Sequence, residues 1–172
     1  MKSVPELALH LKTTLNVKQL LELGLKDYLG DFVPSKVLSI GKAGCDLAVG
    51  VKSLFPNCSG LIVTKYGHGF PITDFELIEA NHPVPDENSV KAAMATFDFI
   101  KNVDETLLVL ISGGGSALLC APIEGVTLQD KKDITLSLLR CGATIDEINM
   151  VRKSLSQIKA GGLTAKLGAV AL

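Results

Sequence analysis

The sequence lacks the features that mark several large classes of protein. It contains no apolar stretch of about 18 residues or more, the length that a membrane-spanning helix requires. Its start does not combine a charged region with a following apolar one, so no secretory signal is predicted. The formal net charge is only −1, which provides no basic surface for nucleic acid. These absences favour a cytoplasmic protein with neither a membrane nor a nucleic-acid partner.

Patterns typical of disulfide frameworks and metal sites are also missing. No cysteines have CxxC spacing, and we interpret all four as reduced packing residues: Cys45, Cys58, Cys120 and Cys141. Zinc ligands usually have short, fixed spacings, which are absent from the three histidines: His10, His68 and His82. The sequence therefore predicts no metal site built from these residues, and an ordinary loop histidine is the simpler interpretation of each.

Apolar residues, by contrast, make up 47% of the 172 residues, enough for one sizeable core and one domain as the default. Short β-rich runs predict four strands, at Lys36–Ile40, Leu61–Thr64, Phe75–Ala80 and Thr106–Ile111. Helical spacing predicts four helices, at residues 43–54, 89–101, 127–140 and 145–159, the last two joined by a turn at Gly142. Because helices separate the strands, the pattern predicts an α/β fold with a parallel sheet layered with helices.

The first 35 residues have a different pattern. Ser3 and Pro5 are typical of a helix start, and apolar residues from Leu7 to Leu29 recur at helical spacing, with Asn16 as the cap of a second helix. We therefore divide the chain into a helical lead-in, residues 1–35, and an α/β domain, residues 36–172.

In a parallel sheet, ligands bind beyond the carboxyl ends of the strands, where four loops of this chain are expected. In the first loop, IGKAG, Lys42 lies between a strand and a helix, and its ammonium is either a ligand contact or simply solvated. The loop is not a Walker A motif, because Lys36 stands in place of its first glycine. Ala43 likewise replaces the magnesium-binding serine or threonine of that motif.

Two further loops carry histidines. In KYGHGF, glycines flank His68 and allow close approach of a ligand to the backbone. In NHPVPD, two prolines stiffen the backbone around His82. Both histidines are therefore candidate binding residues.

The fourth loop, SGGGS, interrupts the apolar run LLVLISGGGSALL between Ser112 and Ser116. Its three glycines permit positive φ and carry no side chain that would hold a phosphate away: Gly113, Gly114 and Gly115. A helix expected to start near Ser116 would add free N–H groups and the positive end of its dipole. The pattern is not GxGxxG, so a simple turn is the alternative to the anion-binding loop that we predict.

Several motifs of the sequence, taken in order, resemble motifs of the glycerate 2-kinases of the MOFRL-associated family. Some members of this family have been labelled hydroxypyruvate reductases. The motifs are IGKAG, VTKYGHG, EANHPVPDE, LISGGGSALL, PIEGVTL and GATIDEINMVRKSLSQIKAGGL. The resemblance begins near Val37 and continues almost to the last residue. It implies transfer of the γ-phosphoryl group of ATP to the 2-hydroxyl of D-glycerate, with Mg²⁺. The family's site is a cleft between a Rossmann-like domain and a second α/β domain.

The resemblance also implies roles for single residues. Lys42 matches the lysine of the family's glycine-lysine-alanine motif, which is the expected catalytic cation of the family. Ser112–Ser116 matches the family's glycine-rich binding loop. His68 and His82 lie in matching loops and are expected to bind substrate or nucleotide. The polar face of the family's INxVRKxLSxIK helix and the glycine turn after it are matched by Asn149, Arg152, Lys153, Ser156, Lys159 and Gly161–Gly162. A solvated helix face and a C-cap are the alternative, which we favour for Lys153.

The chain departs from the family in its length, and the family's second α/β domain is expected to be absent from it. It is therefore expected to hold part of an active site and to be inactive alone. Two other classes stay open. An NAD(P)H-dependent hydroxypyruvate reductase would use the same fold, although no strand precedes a GxGxxG fingerprint. A non-catalytic remnant would instead form homo-oligomers, or pair with the missing C-terminal half, through its unfinished sheet.

Overall fold

A computed structural model describes residue 29, residues 31–101 and residues 106–167. The predicted helical lead-in therefore lies almost entirely outside the described residues. Leu29 is helical, and residues 31–35, which lead into the first strand, contain no helix.

Within the described residues, four parallel strands form one sheet, which confirms the predicted α/β fold class. The strands are β1 (Lys36–Ile40), β2 (Ser59–Lys65), β3 (Phe75–Ala80) and β4 (Leu107–Ile111). Their order is β3-β2-β1-β4, so the chain adds strands on one side of β1 and then returns to its other side. This is the order of the first four strands of a Rossmann fold.

Six helices accompany the sheet in the described part of the chain. They are α1 (Gly44–Leu54), α2 (Glu87–Lys101), α3 (Gly115–Leu118), α4 (Leu128–Arg140), α5 (Ile145–Ser154) and α6 (Gly162–Lys166). The predicted strands and helices are thus found with small shifts at their ends, except for the two helices treated below.

The sheet is covered on both faces, which explains why its central strands are almost continuously apolar. Leu38 and Leu61 belong to the larger core cluster, which includes Phe97 of α2. Their sequence neighbours point the other way, so that Val37 packs in a cluster with Val51 of α1. The two-residue alternation of side chains along a strand thus supplies apolar groups to α1 on one face and α2 on the other.

Local signals set where α4 and α5 begin. Thr127 precedes α4 and forms a capping box with Asp130, and Thr144 does the same for α5 with Glu147. Gly142, between the two helices, has a φ of +77°. The predicted turn at this glycine is therefore confirmed.

Two predicted helices differ from the structure. The helix expected over residues 145–159 ends at Ser154, because Gln157 donates its backbone N–H to the carbonyl of Ala121 and its side-chain amide to the carbonyl of Pro122. These bonds to a distant segment replace the helical pattern. The helix expected near Ser116 is the single turn α3, which is too short to supply an appreciable dipole to the glycine loop.

All four cysteines are free, as predicted. Burial raises the pKa of the Cys45 and Cys58 thiols, so both are poor nucleophiles. Cys120 is buried as well, but Cys141 is exposed and is not a packing residue. Within the described ranges, no helix combines the length and apolarity needed to span a membrane.

Candidate functional site

The candidate site lies where β1 and β4 end side by side. Ile40 and Ile111, their last residues, are partners in the parallel register. From this point the chain leaves β1 toward α1 and leaves β4 toward α3, so the two following loops open a crevice. In open α/β sheets such a switch point is the usual ligand site.

The loops after β1 and β4 are joined by main-chain and side-chain hydrogen bonds. The N–H of Lys42 donates to the carbonyl of Gly113 at 2.9 Å, and that of Ala43 donates to Oγ of Ser112 at 3.1 Å. Gly41 makes this approach possible: its φ is +128°, and a Cβ there would lie 2.7 Å from the carbonyl oxygen of Ser112. The role of Gly41 is not evident from the sequence, because it depends on a partner 71 residues later.

We expect Gly41→Ala to destabilise the chain by about 3 kcal/mol or more, since it combines an unfavourable φ with a collision against backbone. Gly67→Ala is the matched control, because Gly67 also has a positive φ, +75°, but a Cβ there would meet nothing within 4 Å. Its expected cost is only about 1 kcal/mol. Urea unfolding measures both variants, and equal losses would show that the two loops do not need this contact.

Both candidate histidines lie beside Lys42. Nδ1 of His68 is 3.3 Å from the carbonyl oxygen of Lys42, a distance at which the protonated nitrogen donates. A Cβ at Gly114 would lie 3.1 Å from Cδ2 of His82 and 3.2 Å from Cγ of Lys42. Lys42 itself is exposed. The structure thus brings Lys42, His68, His82 and Gly114 together, although their sequence positions span several loops.

A tyrosine that sequence analysis overlooked connects the two histidine loops. Tyr66 donates its hydroxyl to Oδ2 of Asp86 at 2.7 Å, and Oδ1 of Asp86 accepts from the N–H of Ser89 and the N–H of Asn81. Burial alone would raise the pKa of Asp86, but these hydrogen bonds together hold it below its usual value. Asp86 is therefore a charged anchor for the loops that carry His68 and His82.

The site is electropositive. The pKa of His82 is lowered first by burial and then by the nearby charges of Lys42 and Lys65. His82 is therefore predominantly neutral at pH 7, and the positive charge beside the glycine loop comes from the lysines.

The glycine loop (Ser112–Ser116) presents free donors. Among the hydrogen bonds of the described residues, none uses the backbone N–H groups of the four consecutive residues 113–116. Gly114 has a φ of +100°, which turns the backbone between these amides. Consecutive free N–H groups around a residue of positive φ form a concave anion-binding surface. The free amides therefore provide the attraction for an anion that the dipole of the short helix α3 does not.

Lys159 reaches the other end of the same loop. Its ammonium donates a hydrogen bond to Oγ of Ser116. Burial lowers the pKa of Lys159, and the positive charges of Arg152 and Lys131 lower it further. Lys159 reaches Ser116 because α5 ends at Ser154, so the hydrogen bonds that shortened the predicted helix also place this lysine.

A cleft of about 270 Å³ lies along this end of the loop, which we call the Lys159 cleft. Its polar lining comes from Ser112, Ser116 and Lys159 and from the glycine backbone. Its apolar lining was not identified from the sequence and consists of Ile40, Ile111, Leu119, Ile158 and Leu163. The cleft is thus an apolar notch with one partly buried ammonium.

Not every predicted residue joins the site. Asn149, on α5, does not line the Lys159 cleft, and its side chain makes no hydrogen bond to another described residue. Arg152 influences the charge of Lys159 without lining the cleft. The described residues contain no group of three or more His, Cys, Asp or Glu side chains placed to hold a metal ion.

The strand order and the crevice at its switch point define a Rossmann-like α/β domain with a glycine loop as its central element. The chain belongs to the family described as "Domain of unknown function (DUF4147)", whose model matches residues 5–171. The resemblance of the sequence motifs to those of glycerate 2-kinases is confirmed by named relatives.

The D-glycerate 2-kinase of Thermotoga maritima is 45% identical over 130 residues, covering 73% of this chain and 31% of that protein. The glycerate 2-kinase of Pyrococcus horikoshii is 43% identical over 129 residues, covering 74% and 29%. A protein of Agrobacterium vitis whose name describes a hydroxypyruvate reductase is 47% identical over 131 residues, covering 74% and 30%.

The crystal structure of a glycerate kinase from Thermotoga maritima superimposes with a TM-score of 0.83 at 37% sequence identity. The match covers 90% of this chain and 38% of that one. The chain therefore spans less than two-fifths of the length of that structure and 29% to 31% of the sequence relatives above.

Proposed function

We propose that this chain forms part of a glycerate 2-kinase, which transfers the γ-phosphoryl group of ATP to the 2-hydroxyl of D-glycerate. The observation that carries the proposal is the convergence of Lys42 with the free amides of the glycine loop at the switch point of the sheet. Phosphoryl transfer depends on positioning and on neutralising charge, and these groups supply both. The names of the relatives given above support the same activity.

In this proposal the phosphates of ATP lie over the amides of Gly113, Gly114 and Ser116. The ammonium of Lys42 neutralises charge on the transferred group. A bond forms between the 2-hydroxyl oxygen and the γ-phosphorus while the bond to the bridging oxygen breaks. ADP leaves with that electron pair, and the hydroxyl proton passes to solvent water. His68 and His82 lie at the border of the phosphate region. Neutral His82 adds a polar group there without adding charge.

The described residues fit the phosphates of ATP better than they fit Mg²⁺. Asp86 is fully engaged by Tyr66, Ser89 and Asn81, and Glu79 accepts from the N–H of Gly69 at 2.9 Å. Mg²⁺ would neutralise phosphate charge when bound, and its protein ligands are commonly one or two carboxylates. In our proposal those carboxylates belong to the region of the relatives that this chain does not span.

The alternative functions make different demands on the molecule. A nicotinamide-dependent reductase would bind NADH at the same switch point, and an oligomerising module would use the edge of β4, where Ile111 is 69% exposed. Nothing in the geometry of the glycine loop favours a dinucleotide over ATP. We therefore retain both alternatives only as outcomes of the experiments.

We expect the 172-residue chain to bind ATP without turning it over. Isothermal titration should show ATP binding that weakens with added salt, because the contacts are charged, and no binding of NADH. A coupled assay should detect no steady release of ADP when D-glycerate is present. Steady turnover would contradict the assignment of essential residues to the unspanned region, and binding of NADH but not ATP would replace the kinase by the reductase. Sedimentation of the same sample tests self-association.

A further inference from the structure

Two cations contact the glycine loop at different positions. Lys42 lies against Gly114, and its backbone N–H is bonded to Gly113, whereas Lys159 is bonded to the side chain of Ser116. Gly114 and Ser116 are two residues apart, so their Cα atoms are separated by at most about 7 Å. Of these two lysines, only Lys159 lines the cleft of about 270 Å³. The loop thus has two separate ends, one beside Lys42 and one beside Lys159.

The Lys159 end carries positive charge that no described residue neutralises. Lys159, Arg152 and Lys131 form no ion pair with a carboxylate in the described ranges, where the ion pairs are Lys52–Asp74 and Lys101–Asp98. Lys153 adds a more weakly felt positive charge, and Cys120 is the other titratable group close to Lys159. A partly buried ammonium in such surroundings gains most from an anion that enters the cleft.

We propose that the Lys159 cleft binds the carboxylate of the acceptor, a small 2-hydroxy acid, while the Lys42 end binds the phosphoryl group that is transferred. This inference rests on the proposed kinase function, which it deepens by assigning the two anions to different lysines. The carboxylate accepts from the ammonium of Lys159 and from the hydroxyl of Ser116. The 2-hydroxyl, one carbon away from the carboxylate, then faces the Lys42 end of the loop.

The size and lining of the cleft agree with a small acid. Its volume is below the roughly 300–1,000 Å³ of clefts that hold drug-sized ligands. Ile40, Ile158 and Leu163 line it with apolar groups, which lower the polarity around the carboxylate and so strengthen its attraction to the ammonium.

The test uses the full chain with its lysines labelled by reductive ¹³C-methylation, which keeps their charge and gives each lysine its own NMR signal. D-glycerate and lactate, which both carry a carboxylate, should shift the Lys159 signal and raise its pKa. Glycerol, which lacks the carboxylate, should leave that signal unchanged. ATP should shift the Lys42 signal instead. A carboxylate-dependent shift at Lys42 with none at Lys159 overturns the proposal, as does the absence of any such shift at Lys159.

A pair of charge variants completes the test. Lys159→Met should weaken D-glycerate binding about 10- to 100-fold, because a charged hydrogen bond is lost, and should leave ATP affinity within about twofold. Lys153→Met is the matched control: it removes the same charge from an exposed position on α5 that does not line the cleft. Its glycerate affinity should stay within about twofold of the parent. Equal losses in the two variants would show a diffuse electrostatic effect and overturn the assignment.

Failure of the proposed function gives a different pattern. If ATP moves neither the Lys42 signal nor the amide signals of the glycine loop, the kinase proposal fails. The response of Lys159 to glycerate, lactate and glycerol still decides the carboxylate site, because that comparison does not involve ATP.

Discussion

Lys42→Met lowers kcat by roughly 10² to 10³ when this segment is joined to the remaining region of a longer relative such as the Thermotoga maritima D-glycerate 2-kinase. This is the expected result of removing one charged contact to the transferred phosphoryl group, a loss of about 3–4 kcal/mol of transition-state stabilisation. The methylene groups of methionine keep the packing of Lys42 against the glycine loop. Steady-state kinetics at saturating ATP and D-glycerate measure the effect.

Stability and local charge provide the controls for Lys42→Met. Because Lys42 is exposed, the free energy of unfolding should change by no more than about 0.5 kcal/mol. The pKa of His82, which Lys42 lowers, should rise in the variant, and an NMR titration of the imidazole detects this. Lys91→Met, on α2, removes an equal charge outside the candidate site and should retain the parent kcat. A parental kcat in Lys42→Met would leave Lys42 as a solvated lysine.

Gly114→Val should reduce both stability and ligand affinity. Gly114 has a φ of +100°, and even a Cβ at this position would approach His82 and Lys42 to 3.1 and 3.2 Å. The strained backbone should cost about 1–3 kcal/mol of unfolding free energy. The branched side chain would in addition displace Lys42 and hold phosphate away from the amides, so ATP affinity should fall by more than 10-fold. Gly114→Ala should show the same two effects to a smaller extent.

Gly113→Ala separates the two effects. Gly113 has no positive φ, and a Cβ there would meet nothing within 4 Å, so the unfolding free energy should stay within about 0.5 kcal/mol of the parent. ATP titrations of all three variants are made at a temperature where circular dichroism shows each to be folded. If both Gly114 variants bind ATP as tightly as the parent, the three glycines serve only the turn from β4 to α3.

The sequence motifs identified the loops that carry the candidate site residues, but not how these loops are arranged in space. The IGKAG, KYGHGF, NHPVPD and SGGGS loops each follow a strand, so short β-rich runs were enough to place them at the carboxyl edge of a parallel sheet. The same runs did not give the strand order. The order β3-β2-β1-β4 makes β1 and β4 neighbours and so joins Lys42 to the glycine loop, which comes about 70 residues later in the chain.

What the sequence determined by itself was local: the strands, the capped starts of α4 and α5, the positive φ at Gly142 and the glycine loop. Each depends on side chains within a few residues of one another, and such interactions can be read from spacing. The tertiary structure alone decided the need for glycine at position 41, where Ser112 occupies the space of a side chain. It also decided the position of Lys159. Helical spacing continues to that residue, but hydrogen bonds from Gln157 to Ala121 and Pro122 end α5 early and carry Lys159 to Ser116, because partners distant in sequence satisfy the backbone as well as a further helical turn would.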